Sequence, residues 1–550
     1  MTTEKRSLWR RWGTRIALGA ALLLMIGHLI VYLVYGVSLL SFPFDYDQGE
    51  GFELNDTLLL SQGQSPYRDN NTFPFYASNY PPLYHVILIP FAKLFGGAYW
   101  YGRLAGILAG LIAAAAIAYA VQRETRQKGV ALLSGLAFLA SNYVYHIAPL
   151  FRQHLFMVML ETVAVILIGG IAAYEGNPRR QRRLILIALA LLLAAGYTKQ
   201  LAILTCIAVF GWLLLRGVRR AVLYGIGFAA VAGGLFLLID ASTGHQWWIN
   251  IISANVNDYL FSQYTGLLRQ FWGLHGALLI LAGVFVVYEL YLERLSIYSV
   301  WFVVSAAGTT LAGKWGAGDS YFATCIAAMC ILAGLFTGRC LGREWRLPPA
   351  FSVRVARLLG RLGLGGWIGR LAQIFTPLLG IAALSLFVLY GLAVVKLPLN
   401  APMVGDIARA LNMSSNTKFP HFYDGAGWTM GYATIGQIPT AEDVAHGEEI
   451  LALIRAQNDP RPILSEEAAF SFHLGKPVVT NPTQLLNLYA NGLYDPAELV
   501  GMIEAKAFAA VIFRAQFYPP PILAAVDRAY AVRAVIPMNG YEYTVLFPKP

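Results

Sequence analysis

Long apolar runs alternate with short polar blocks along this chain, and many runs approach the roughly 20 residues a helix needs to cross a bilayer. The first, about 16–40, follows Lys5, Arg6, Arg10, Arg11 and Arg15, which predicts a cytoplasmic N-terminus and delivers residues 41–98 to the outer face. The run 83–95 is short. Counted as a full span it would put Arg123, Arg126 and Lys128 outside, so it is expected to be an interfacial helix. Spans are then expected at about 99–122, 130–148, 153–174, 183–197, 200–215 and 221–240. An outer loop at 241–274 follows, then a span on each side of Arg294, one after Tyr321, and a last one at about 374–396.

Every loop this pattern places inside is basic, from Arg123–Lys128 and Arg179–Arg183 to seven arginines between Arg339 and Arg370. From about residue 397 the rhythm changes. Short β-like stretches at 463–465, 477–480, 509–513, 531–537 and 541–547 alternate with helical patterns at 448–457, 466–474, 496–507 and 521–530. The predicted fold class is a polytopic α-helical membrane protein of about eleven spans, with a long first outer loop carrying interfacial helices. Residues 1–396 form that part, and 397–550 form an extracytoplasmic α/β domain with a partly parallel sheet.

Composition agrees: 57% of residues are hydrophobic and 13% charged. The net charge of +11 comes from short blocks between apolar runs, a topology signal that argues against nucleic acid as partner. The first run is too long for a cleavable signal and lacks a small-residue exit, so it is expected to remain as an anchor in the bilayer. The four cysteines sit in or beside apolar runs and suggest no disulfide framework. Asn55, Asn70 and Asn412 match the glycosylation sequon, which has meaning only in a eukaryotic secretory pathway.

Chemistry concentrates just after the first span, where Asp45, Asp47, Glu50 and Glu53 fall within nine residues of one another. Asp45 with Gln48 three residues on reads as a helix cap for a helix beginning near Tyr46. Asp47 and Glu50 would then share a face at its N-terminus, fit to stay ionised and act as a base, while Glu53 would be solvated. Four cations stand against the inside rule at outer span ends: Arg152, Lys199, Arg269 and Lys314. Clustered there they suit a lipid phosphate, with the carboxylates opposite suited to deprotonating a hydroxyl. His154 and Glu161 share one helix face, and Glu161 must face the bundle interior, in either a structural or a functional role. Zinc spacings and a complete Walker A motif are absent. The acidic loop offers oxygen ligands for Mg²⁺ or Mn²⁺, though no spacing requires a divalent cation, and no metal ligand or cofactor is assigned.

These residues, with Tyr80-Pro81-Pro82-Leu83-Tyr84 and Arg103 at the head of the next span, resemble the GT-C superfamily of integral membrane glycosyltransferases. The similarity is to the dolichyl-phosphate-mannose and aminoarabinose-transferase-like families 39, 83 and 87. Asp47-Gln48-Gly49-Glu50-Gly51 is similar to their first-loop acidic signature, Thr198-Lys199-Gln200 to their Thr-Lys turn, and Gly313-Lys314 to a late outer-loop lysine motif. Where many relatives carry Arg-x-Asp, this chain has Arg152-Gln153-His154. The resemblance implies a polyprenyl-phosphate-linked sugar donor and inverting transfer at the outer leaflet, with Asp47 as general base. Arg152, Lys199 and Lys314 are the implied partners of the donor phosphate. Glu50 and Asp45 are expected beside the base, and Tyr80, Tyr84, His154, Gln200 and Tyr321 at the substrate site. The acceptor could be glycan, lipid or protein. A flippase for a lipid-linked saccharide and a non-catalytic binding subunit are the rival classes. Internal repeats and broken midplane helices would favour the flippase, and the sequence shows neither.

Overall fold

The computed structural model describes residues 3–342, 345, 365–394, 404–410 and 438–550. Much of the arginine-rich stretch after Arg339, the expected boundary at 396/397 and the Asn412 sequon lie outside the described residues. Helix α1 (Thr3–Leu40) leads into a loop carrying α2 (Glu50–Ser61) and α3 (Leu83–Phe95). The bundle continues with α4 (Trp100–Thr125), α5 (Lys128–Ala140), the single turn α6 (Asn142–Tyr145), α7 (His154–Gly169), α8 (Pro178–Gly196), α9 (Ile203–Arg216) and α10 (Val218–Ser242). After the short α11 (Gln246–Ile251) come α12 (Phe261–Leu292), α13 (Ile297–Gly308), α14 (Ala323–Gly342) and α15 (Gly365–Ala393).

Each stretch expected to span is mostly helical over its described residues, and α3 occupies the expected residues. Among the described residues, five helical segments are individually long and apolar enough to cross a bilayer: Trp12–Leu40, Trp100–Thr125, Val218–Ser242, Phe261–Leu292 and Asp319–Gly342. Helix α10 buries only Ala221 among its described residues and leaves Leu223, Ile226, Leu237 and Leu238 exposed, a surface suited to lipid. Two boundaries differ from expectation. Helix α5 stops at Ala140 because Ser141 turns extended and hydrogen-bonds His275 Nε2 at 2.8 Å. Helix α12 begins inside the stretch expected to be the outer loop 241–274, and α11 occupies part of the remainder.

Glycines recur every fourth residue along α4, at Gly102, Gly106 and Gly110, where the helix meets the 148–151 segment and Tyr32. A Cβ on Gly106 would collide with the carbonyl of Ala148, so the close approach depends on its absence.

The C-terminal part contains α16 (Val404–Ala410), α17 (Ala441–Arg455), β1 (Leu464–Ser465), α18 (Ala468–His473), α19 (Pro482–Ala490), α20 (Ala497–Glu504), β2 (Val511–Phe513), α21 (Pro520–Ala529), β3 (Tyr530–Met538) and β4 (Tyr541–Pro548). The sheet order is β1-β2-β4-β3, with β1 parallel to β2 and the other pairs antiparallel. The expected α/β layer is therefore present. The stretch 477–480 does not join the sheet despite its β-branched residues. It leads instead into α19, which Asn481 caps through its side chain with Pro482 in the first turn.

Candidate active site

One buried cation organises the loop that carries the acidic stretch. Arg103, on α4, pairs with Glu50 through Nη2–Oε2 at 2.9 Å and Nε–Oε1 at 3.0 Å. Its remaining N–H groups reach the carbonyls of Leu39, Phe42 and Phe44 at 2.6, 2.6 and 2.8 Å. The end of α1, the following loop and the start of α2 are thus tied to α4 by a single guanidinium. Glu50 also accepts the backbone N–H groups of Phe151, Tyr46 and Asp47. Burial alone would raise its carboxyl; Arg103 overrides it and holds the group below the ordinary value. Glu50 does not line the cavity described below. The structure places Glu50 away from the catalytic position expected for it, with its carboxylate taken up by Arg103 and three backbone N–H groups.

Asp45 is corrected as well. Helix α2 starts at Glu50 rather than Tyr46, and Gly49 is its cap. Asp45 is buried and accepts Gly51 N–H at 2.5 Å, Tyr99 O–H at 2.9 Å and Ala469 N–H at 3.0 Å. Burial pushes its carboxyl up to about 6, the neighbouring Glu50 adding to the rise. It serves a first-turn N–H from outside the helix and binds the C-terminal part, but does not face the cavity.

The C-terminal part grips the same loop from the other side. Asn539 donates to the Tyr46 carbonyl at 2.8 Å, and Arg514 Nη2 reaches it at 3.5 Å. Arg514 is held in turn by Glu467, which also accepts the Tyr543 hydroxyl. Glu466 accepts the backbone N–H groups of Arg514, Ala515, Gln516 and Phe517, fixing the turn that places Phe517.

Between these layers lies a cavity of about 790 Å³. It gathers Asp47, Arg152, Lys199 and Lys314, four residues far apart in sequence. Arg152 engages Asp47 Oδ2 through Nη2 at 2.6 Å and Nε at 2.7 Å, and Glu53 Oε1 through Nη1 at 3.3 Å. Gly49 makes this possible. Its φ of 136° lies in the region glycine favours, and a Cβ there would strike the guanidinium. Burial raises the Asp47 carboxyl above its ordinary value, against the pull of Arg152. Lys199 Nζ sits 2.9 Å from His154 Nδ1 and over the rings of Tyr80 and Tyr321 at 4.7 and 5.8 Å. Burial, helped by Arg152 nearby, pushes Lys199 down to about 7. Lys314 Nζ donates to the Asn255 carbonyl at 2.6 Å, and burial lowers its pKa too. Its loop is fastened by Leu260 N–H to Gly313 O and Trp315 N–H to Asp258 O.

Of the residues expected at a substrate site, Tyr80, Gln200 and Tyr321 line this cavity. Tyr84 does not: it is fully buried, stands edge-on to Phe151, and donates its hydroxyl to the Gly102 carbonyl at 3.0 Å. His154 stands behind the wall and touches Lys199 rather than the cavity. Tyr84→Phe should therefore cost about 1 kcal/mol of stability in thermal unfolding and leave substrate KM unchanged; a selective rise in KM would return Tyr84 to the binding surface.

Glu161 accepts the hydroxyls of Thr205 at 2.7 Å and Thr324 at 2.8 Å within the bundle and does not line the cavity. Glu53, expected to be solvated, is buried and lines the cavity. Sequence reasoning also passed over Asp319, which lines the cavity with both carboxylate oxygens unpartnered among the described residues. An acid at a span end was the available signal. Asn481, Thr483, Asn487 and Phe517 of the C-terminal part complete the wall, a contribution no local motif could announce. Arg269 lines a separate groove of about 500 Å³ with Leu268, Phe271 and Trp272.

Residues 79–244 match the family model described as dolichyl-phosphate-mannose-protein mannosyltransferase. The matched stretch contains Tyr80, Arg152, His154, Lys199 and Gln200, while Asp47 and Lys314 lie outside it. The fold is shared with the crystal structure of ArnT from Cupriavidus metallidurans bound to undecaprenyl phosphate. The TM-score is 0.58 at 14% identity, over 95% of this chain and 97% of that one. The apo form of the same protein gives a TM-score of 0.55 at 14% identity, over 95% and 98%. The apo oligosaccharyltransferase of Archaeoglobus fulgidus gives 0.43 at 11% identity, over 94% and 74%. A comparison with curated protein sequences yields no match. The helical fold with a C-terminal α/β layer expected from the sequence is thus the architecture shared with the ArnT structure.

Proposed function

We propose that this chain is an inverting glycosyltransferase that moves a sugar from a polyprenyl phosphate to a hydroxyl acceptor at the outer leaflet. The carrying observation is the convergence of Asp47, Lys199 and Lys314 on one cavity from three distant parts of the chain. The family-model match and the shared fold with a protein crystallised with undecaprenyl phosphate support the same reading.

In this mechanism Asp47 takes the acceptor proton on Oδ1, since both close contacts of Arg152 fall on Oδ2. The acceptor oxygen attacks the sugar C1 as the bond from C1 to the phosphate oxygen breaks. Charge then grows on the departing phosphate, where Lys199 and Lys314 stabilise it. Arg152 is neutralised by Asp47 and Glu53, so its main task is to hold the base in place. Asp319, with open oxygens, accepts hydrogen bonds from sugar hydroxyls, and Tyr80 and Tyr321 supply ring faces. The apolar groove of Leu268, Phe271 and Trp272 accommodates the isoprenoid tail, with Arg269 beside it. The C-terminal residues Asn481, Thr483 and Asn487 meet the acceptor.

The test is transfer by the full chain in proteoliposomes given a radiolabelled polyprenyl-phosphate sugar and hydroxyl-bearing lipid or glycan acceptors. Movement of the donor across the bilayer without cleavage would replace this reading with a flippase.

The pH profile follows from the same groups. Asp47 must be ionised, so kcat/KM falls on the acid side at a pH above the ordinary aspartate value. Lys199 must be protonated, so kcat/KM falls again as pH rises through about 7. Lys199→Arg should remove the alkaline limb, because arginine stays charged throughout that range. An unchanged limb in that variant would acquit Lys199.

A further inference from the structure

Next to the cavity wall, on the side of α2 that faces α3, three ligating side chains converge: Glu53, Asp56 and His85. We infer that they form a binding site for one divalent transition-metal ion, with Zn²⁺ the best fit.

The argument turns on where one proton sits. Thr57 Oγ1 has a single hydrogen, and it donates that to the Glu53 carbonyl at 3.0 Å. The same oxygen lies 3.1 Å from His85 Nδ1, so it must accept there, which puts a hydrogen on Nδ1. In the neutral ring Nε2 then carries a bare lone pair. That nitrogen is buried, makes no hydrogen bond, and stands 3.2 Å from Glu53 Oε2 and 3.8 Å from Asp56 Oδ2. A lone pair facing two carboxylates calls for positive charge between them, either a metal cation or a proton on Nε2. The three ligand atoms lie within 4.8 Å of one another. Tetrahedral zinc with bonds of about 2.0–2.1 Å sets its ligands roughly 3.3 Å apart, which the 3.2 Å separation matches and the 3.8 Å one reaches by a shift of about half an ångström.

The surroundings have the form expected around a metal centre. The imidazole donates its other N–H to an oxygen, and the ligating carboxylates are themselves held. Asp56 accepts Tyr76 O–H at 2.7 Å and Ser78 O–H at 2.5 Å. Glu53 accepts from Arg152 and, with the Gln153 amide oriented to suit its neighbours, from Gln153 at 3.2 Å. Two carboxylates balance a 2+ charge, and an imidazole in the set favours a transition metal over Mg²⁺ or Ca²⁺. The ion would fix Glu53, and through Arg152 the position of Asp47.

The alternative is a doubly protonated His85 in an ion pair with Glu53. The two are separated by measuring metal, without any turnover, so the result does not depend on the transfer reading. Full-length protein in nanodiscs, purified without chelator, should carry about one zinc per chain by mass spectrometry of the elements. After chelation, added Co²⁺ should give rise to the visible d–d absorption of a four-coordinate nitrogen and oxygen site. His85→Gln and Asp56→Asn should each weaken Zn²⁺ binding about tenfold or more. No stoichiometric zinc and no cobalt spectrum in the parent protein would overturn the site in favour of the imidazolium. So would zinc binding left intact in Asp56→Asn, the milder variant, which decides if the histidine variant fails to fold.

Discussion

Asp47→Asn is expected to lower kcat for sugar transfer about 100- to 10,000-fold, with a much smaller change in donor KM. The amide is isosteric and keeps an oxygen for Arg152, so the guanidinium remains between residue 47 and Glu53. What disappears is the capacity to take the acceptor proton. Because burial raises the Asp47 carboxyl, the parent protein should show an acid limb in kcat/KM that vanishes in the variant's residual activity. Transfer within a few-fold of the parent would remove Asp47 as the base. The same measurement on Glu50→Gln guards the assignment: Glu50 lies outside the cavity, so its correctly folded fraction should retain a near-normal kcat.

Arg103→Met should destabilise the chain by about 3–5 kcal/mol, the largest stability loss expected from a single change here. The methionine fills comparable space but leaves Glu50 buried as an unpaired carboxylate and strips hydrogen bonds from three carbonyls. An ion pair taken as a whole adds little to stability, whereas removing one partner exposes the full cost of the other. Thermal unfolding of purified protein in detergent is the readout, compared with Glu50→Gln, which loses charge on one side but keeps an acceptor oxygen. A melting temperature equal to the parent's would sink the idea that Arg103 organises the loop.

The bundle was readable because spans announce themselves by length and flanking charge. Leu83–Phe95 was recognised as a separate short helix by the same reasoning. The site was readable in part, for a physical reason. Arg152, Lys199 and Lys314 break the charge asymmetry, a signal that needs no knowledge of contacts. The carboxylates could not be sorted this way, since four acids in one short stretch look alike until their partners are known. Glu50 is consumed by Arg103 from another helix, Asp45 by Tyr99 and Ala469, and Glu53 is drawn inward by Arg152 and His85. Tyr84 was misplaced because a Pro-Pro turn fixes the backbone but not the direction of the ring that follows.

The hold of Asn539 and Arg514 on the Tyr46 carbonyl, and of Ala469 on Asp45, bears on how such proteins can be recombined. The segment after the bundle is not an interchangeable cap. A chimera that borrows the α/β layer from a relative would have to bring a matching 44–46 loop with it, or the loop beside Asp47 would lose half of its mould.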